Sequence, residues 1–69
     1  MKIKETGFPL LKVEYDSSGN PIYIGENANL IASDDSQDWR LRKVTWAGSN
    51  PEKVERNVGS WTNRVAVFS

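Results

Sequence analysis

The sequence predicts a small all-β domain, an antiparallel β-meander of about five strands that closes into a barrel or a half-open sandwich. Three observations predict it. Short stretches alternate polar and apolar residues with the period of two that belongs to a strand. Gly, Asn, Asp, Ser and Pro collect between those stretches, where tight turns need them. The connections are short, and consecutive strands joined by short turns pair with each other.

Leu11 precedes Lys12-Val13-Glu14-Tyr15, which alternates polar and apolar residues. Asp16-Ser17-Ser18-Gly19-Asn20-Pro21 is a dense turn signal, and Ile22-Tyr23-Ile24 resumes a strand that stops at Gly25. Residues 11–25 therefore read as a β-hairpin. Pro21 has no N–H, which places it at the first residue of its strand or on an edge. Residues 26–37 carry the weakest signal. Ala28 to Ala32 fits one helical turn, and Ser33-Asp34-Asp35-Ser36 fits a cap or a solvated loop. The expectation is a surface loop with Leu30 and Ile31 tucked beneath it.

Trp39-Arg40-Leu41-Arg42-Lys43-Val44-Thr45-Trp46 is the most informative stretch. Trp39 and Leu41 share one face of a strand. Val44 and Trp46 share a face but are out of phase with the first pair. A β-bulge near Arg42-Lys43 would bring all four to one side; without it the strand is buried on different faces in its two halves. The bulge is the favoured reading. Ala47 to Glu52 turns, and Lys53-Val54-Glu55-Arg56 is a strand with a single apolar residue, hence an edge or a wet face. Asn57 to Ser60 turns again. Trp61 opens a last segment, Arg64-Val65-Ala66-Val67-Phe68, read as the fifth strand. The organisation is an N-terminal arm, residues 1–12, and one domain, residues 13–69, with no internal repeat or linker.

The 69 residues include no cysteine and no histidine. That excludes a disulfide framework, a zinc finger and any Cys- or His-based nucleophilic machinery. Three Trp, two Tyr and two Phe supply much of what can become a core. Below roughly 70–80 residues, a single core rarely supplies more than about 3–5 kcal/mol. Binding to copies of itself or to a larger body is then the remaining way to bury more surface. No stretch reaches the ~18 apolar residues of a membrane span. The basic N-terminus is followed by only Phe8-Pro9-Leu10-Leu11, too short for a signal peptide. Folding in the cytosol where the chain is made is expected.

Nine basic and nine acidic residues cancel. Their placement is uneven. Through Asp38, three bases face seven acids, a net −4; from Trp39 onward, six bases face two acids, a net +4. The halves either interleave and pair across strands or form complementary surfaces that steer one subunit onto another.

Asp34, Asp35 and Asp38 offer carboxylates, but neighbours in one loop do not flank a cleft as glycoside hydrolysis demands. Residues 27–38 also lack the glycine and bidentate glutamate of an EF-hand loop. Gly19, Gly25, Gly48 and Gly59 are each read as alone in a turn, so none builds a phosphate cradle. No catalytic residue, metal or cofactor is expected. Arg40 and Arg42 with Tyr15, Tyr23 and Trp46 invite a single-stranded nucleic-acid reading of the OB type. The neutral total and the acidic loop favour instead arginines that lie over the sheet and pair with Glu14, Asp16 or a partner chain. Exposed tryptophans could also platform a glycan, although in so small a domain they serve first as core.

Four stretches, in order, carry a resemblance: Glu14-Tyr15-Asp16; Pro21-Ile22-Tyr23-Ile24-Gly25; Trp39 through Trp46; and Trp61-Thr62-Asn63-Arg64-Val65-Ala66-Val67-Phe68. Over residues 13–69 the chain resembles a family of small β domains among the structural proteins of tailed-bacteriophage virions. The resemblance implies a virion component without catalysis, in the head, neck, tail or fibre, made in the host cytoplasm. Its implied partners are other virion proteins and copies of itself, with neither nucleic acid nor membrane. On this reading Trp39, Leu41, Val44, Trp46 and Trp61 build the platform of the domain, and Tyr15, Tyr23 and Phe68 help close it. Ile3, Phe8, Leu10 and Leu11 of the arm, with Arg40 and Arg42, are the candidate partner contacts. A single-stranded nucleic-acid module and a glycan-binding fibre domain are the alternatives.

Overall fold

The computed structural model describes residues 10–69. Four strands run in order, β1 (Leu10–Tyr15), β2 (Pro21–Asn27), β3 (Trp39–Ala47) and β4 (Asn50–Gly59), followed by a short helix α1 (Arg64–Val67). They form one antiparallel sheet in sequence order, β1-β2-β3-β4. The domain is all-β as expected, but among the described residues the sheet is open and has four strands.

The β1–β2 hairpin lies where the sequence puts it, and Pro21 opens its strand. Asp16 builds the turn: its carboxylate Oδ1 accepts the N–H groups of Ser18 and Asn20, each at 2.9 Å. Gly19 takes the left-handed conformation that closes it, φ 85°.

The fifth strand is a correction. Residues 64–67 are helical, because the chain turns tightly after β4. The backbone N–H of Arg64 donates to the Trp61 carbonyl at 3.2 Å, and Ser60 Oγ accepts the N–H of Asn63 at 3.1 Å. This turn drops Trp61 onto the sheet and sends the chain back over its face rather than along its edge. Arg64, Val67 and Phe68 then point inward at i, i+3 and i+4, while Val65 and Ala66 face solvent.

The bulge also lies elsewhere. Register is regular through Arg42 and Lys43 and shifts between Thr45 and Trp46, where Trp46 opposes Pro51 and Thr45 opposes Lys53. The extra residue, Glu52, belongs to β4, beside a proline that cannot donate to the ladder. β3 therefore keeps strict alternation, and its two apolar pairs lie on opposite faces.

One face is covered. Trp39, Leu41 and Trp61 form the buried centre, with Leu10, Tyr23, Ala32, Val67 and Phe68 packed around them. The indoles of Trp39 and Trp61 lie 6.3 Å apart and tilted by 47°. Tyr23 and Phe68 repeat that arrangement at 6.1 Å. Gly25 lies beneath the two indoles, and a Cβ there would stand 2.6 Å from Trp61 Cε3.

Residues 28–38 form a loop, yet Leu30 and Ile31 are exposed rather than tucked under it. Asn27 and Asn29 hold the chain outward, their Oδ1 atoms accepting the N–H groups of Asn29 and Ile31. Ala32 packs on the core in their place. The Trp39 indole N–H donates to the Ser33 carbonyl at 2.9 Å, and the Thr62 N–H donates to the Asp34 carbonyl at 3.0 Å. The loop is thereby tied to the core and to the C-terminal segment.

Arg64 fastens the helix to the first strand. Its Nε donates to Glu14 Oε1 at 2.8 Å across fifty positions of sequence. Its guanidinium lies 4.5 Å above the Trp61 ring. Arg64→Met keeps much of the packing and removes the charge. It is expected to cost about 1–2 kcal/mol through the lost ion pair and cation–π contact, which thermal melting reads as a fall of about 5–15 °C.

Candidate functional site

The candidate site is the other face of the sheet. Residues opposite each other in an antiparallel ladder point to the same side, so the register defines two rows. Leu11, Glu26, Arg40 and Val58 form one; Val13, Ile24, Arg42 and Arg56 form the next. Val44 and Val54 pair farther along. Alternation carries Tyr15 and Trp46 onto this face at the same end, where the Trp46 indole donates to the Pro21 carbonyl at 2.7 Å.

This face mixes apolar residues with arginine. Leu11, Val54 and Val58 are 61%, 52% and 62% exposed. Leu11 on β1 and Val54 and Val58 on β4 flank the charged middle of this face, a mixture of apolar and charged groups suited to a contact region. Between the first two rows lies an open depression of about 540 Å³, lined by Glu26, Arg40, Arg42, Arg56, Asn57 and Val58. Arg42 Nη2 stands 3.2 Å from Glu26 Oε1. Arg56 adds a further guanidinium to the lining beside the Arg42–Glu26 pair. Guanidinium groups in such a setting recognise carboxylates and phosphates through paired N–H donors.

The residues singled out from the sequence divide between the faces. Trp39, Leu41, Trp61, Tyr23 and Phe68 gather on the covered face as a platform. Val44 and Trp46 belong to the open face, because the bulge expected at Arg42-Lys43 is absent. Tyr15 closes nothing: at the end of an edge strand it is 59% exposed. Leu10, assigned to partner contact, packs on the core instead, since it shares the covered face with Asn27 opposite it. Leu11, Arg40 and Arg42 lie on the open face. The expected roles of Ile3 and Phe8, and of the arm over residues 1–9, lie outside the described residues; residues 10–12 belong to β1. The ion pairs Arg42–Glu26 and Arg64–Glu14 join the basic half to the acidic half, as interleaving halves require.

Sequence reasoning missed Arg56. Its membership follows only from the β3–β4 register, which sets it opposite Arg42. Among the described residues no group of three or more acidic side chains is placed to hold a metal ion, and no helix is long and apolar enough to cross a membrane. No protein family matches the chain, and neither a curated protein nor a solved structure matches it.

Proposed function

We propose that the chain is a non-catalytic assembly module, a structural component of a tailed-phage particle that docks through the open face of its sheet. One observation carries the docking: among the described residues the loop and helix pack on one side of the sheet, and the other side exposes Leu11, Val54 and Val58 around the depression. Arg56, set opposite Arg42 and beside the Arg42–Glu26 pair, selects the partner's chemistry. It is a neighbouring virion protein that presents carboxylates beside apolar side chains, since charge complementarity fixes the register of such contacts. The virion setting rests on the resemblance of residues 13–69.

The test is incorporation. Tagged chain supplied during particle assembly is expected to band with purified particles in a density gradient. Val58→Asp changes an exposed side chain and is expected to shift folding stability by no more than about 0.5 kcal/mol, while incorporation falls about tenfold, the equivalent of about 1.4 kcal/mol of contact energy. Particles that exclude the wild-type chain would overturn the reading, as would a Val58→Asp chain that enters them unimpeded.

A second reading draws on Tyr15 and Trp46 sharing the face with three arginines, the combination that stacks and tracks a single strand. It predicts retention of single-stranded nucleic acid that falls steeply with salt. A filter-binding titration at two ionic strengths separates the two readings.

A further inference from the structure

We infer that β4 is a self-complementary edge through which two copies of the chain join antiparallel into one continuous sheet. This deepens the assembly reading by naming the contact between copies, and it uses the edge of the sheet rather than its open face.

Among the described residues β4 ends the sheet, and Glu52, Lys53, Val54 and Arg56 along it are exposed, with Glu55 half-buried among them. Its outward backbone groups can be located. The N–H of Val58 donates to the Oδ1 of its neighbour Asn57 at 2.8 Å, so it points away from β3. Alternation then turns the N–H and C=O groups of Arg56 and Val54 outward as well. Val58 is capped by its own neighbour; Val54 and Arg56 keep groups that a further strand would satisfy.

The charges along this edge specify what that strand is. Glu52-Lys53-Val54-Glu55-Arg56 reads minus, plus, neutral, minus, plus. Laid antiparallel on itself about Val54, it sets Lys53 of one copy opposite Glu55 of the other, and Glu52 opposite Arg56. Lys53 and Glu55 form the central pairs, and Glu52, at the bulge, brings its charge to the Arg56 end of the contact. Directly opposed unlike charges stabilise a ladder, and like charges weaken it. The two Val54 residues meet at the twofold axis as a pair whose outward backbone groups bond each other. Within one copy Lys53 and Glu55 already attract at 3.8 Å; in the pair each gains a partner across the axis. The ends of the contact are also set. Pro51 has no N–H to offer, and Asn57 is engaged with the helix, its Nδ2 donating to the Val67 carbonyl at 3.3 Å. An isologous contact of this kind closes as a dimer and does not propagate.

Sedimentation equilibrium of the full chain at low and high salt tests this, with circular dichroism to verify that each variant is folded. The wild type is expected to dimerise, more weakly as salt rises. Lys53→Glu alone, and Glu55→Lys alone, each set like charges opposite each other twice and are expected to weaken the dimer about tenfold or more. The double variant Lys53→Glu/Glu55→Lys restores opposite charges at every position and is expected to recover wild-type dimerisation. Mixing the two single variants is expected to give the heterodimer, because the copy that is acidic at both positions then faces the copy that is basic at both. A wild type that stays monomeric at all concentrations overturns the inference, and so does dimerisation indifferent to the single substitutions or unrescued by the double one. Failure here is distinct from failure of the docking reading, which Val58→Asp and particle incorporation score without β4 pairing.

Discussion

Trp39→Ala is expected to unfold the chain at room temperature. The Trp39 side chain is fully buried and central to the core. Truncating a buried tryptophan costs about 3–5 kcal/mol, from lost transfer energy and the cavity left behind. The substitution also strands the Ser33 carbonyl, which accepts the indole N–H, and it withdraws the ring against which Trp61 lies. A domain of this size holds roughly 3–5 kcal/mol in total, so one side chain accounts for most of the margin. Circular dichroism in a urea titration should show no folded baseline. A cooperative transition within about 1 kcal/mol of wild type would mean that the core does not centre on this ring.

Gly25→Ala is the second large effect, and its sign is informative. In the middle of a strand, alanine should be better than glycine by about 0.5–1 kcal/mol on backbone entropy alone. Packing acts the other way. The new Cβ would lie 2.6 and 2.9 Å from two atoms of the Trp61 ring and 3.2 Å from Trp39. Indole rings are rigid, and these two brace each other, so neither can give way without losing contact with the sheet. Overpacking of this kind costs about 1–3 kcal/mol, and more when the blocking group cannot rotate aside. The net expectation is a melting temperature lower by about 10–15 °C. An unchanged or raised value would show that the indoles do not rest on this glycine as described.

The strands β1, β2 and β3 are legible in the sequence because period-two alternation and turn residues act locally. Asp16 and Gly19 announce their turn, and Pro21 announces a strand start. The end of the chain is not legible. Arg64-Val65-Ala66-Val67-Phe68 alternates convincingly, yet the same spacing also puts Arg64, Val67 and Phe68 on one side of a helix. What decides between them is the turn at Trp61, whose direction depends on a recess formed by Gly25 and Trp39 far away in sequence. The position of the bulge is hidden for a related reason. Setting all four apolar residues of β3 on one face assumes a closed core, whereas an open sheet can leave Val44 and Trp46 on the other side. For the candidate site, Leu11, Arg40 and Arg42 can be named from the sequence, but Arg56 cannot. Its place beside Arg42 exists only in a strand that continues through Asn57 and Val58, where the residue types suggest a turn.

The Arg64–Glu14 clasp and the Trp61 lid set an order of events during translation. The meander pairs each strand with the one made just before it, so hairpins can form as the chain emerges. Leu10, Tyr23 and Ala32, made earlier, pack at the same core, but the ring that lies against the Trp39 indole is that of Trp61, twenty-two positions downstream. Until that stretch has left the ribosome, the nascent sheet presents a half-covered tryptophan to chaperones and proteases. A message cut short just before Trp61 yields a polypeptide with all four strands and no lid, the kind of product that cellular quality control is built to remove.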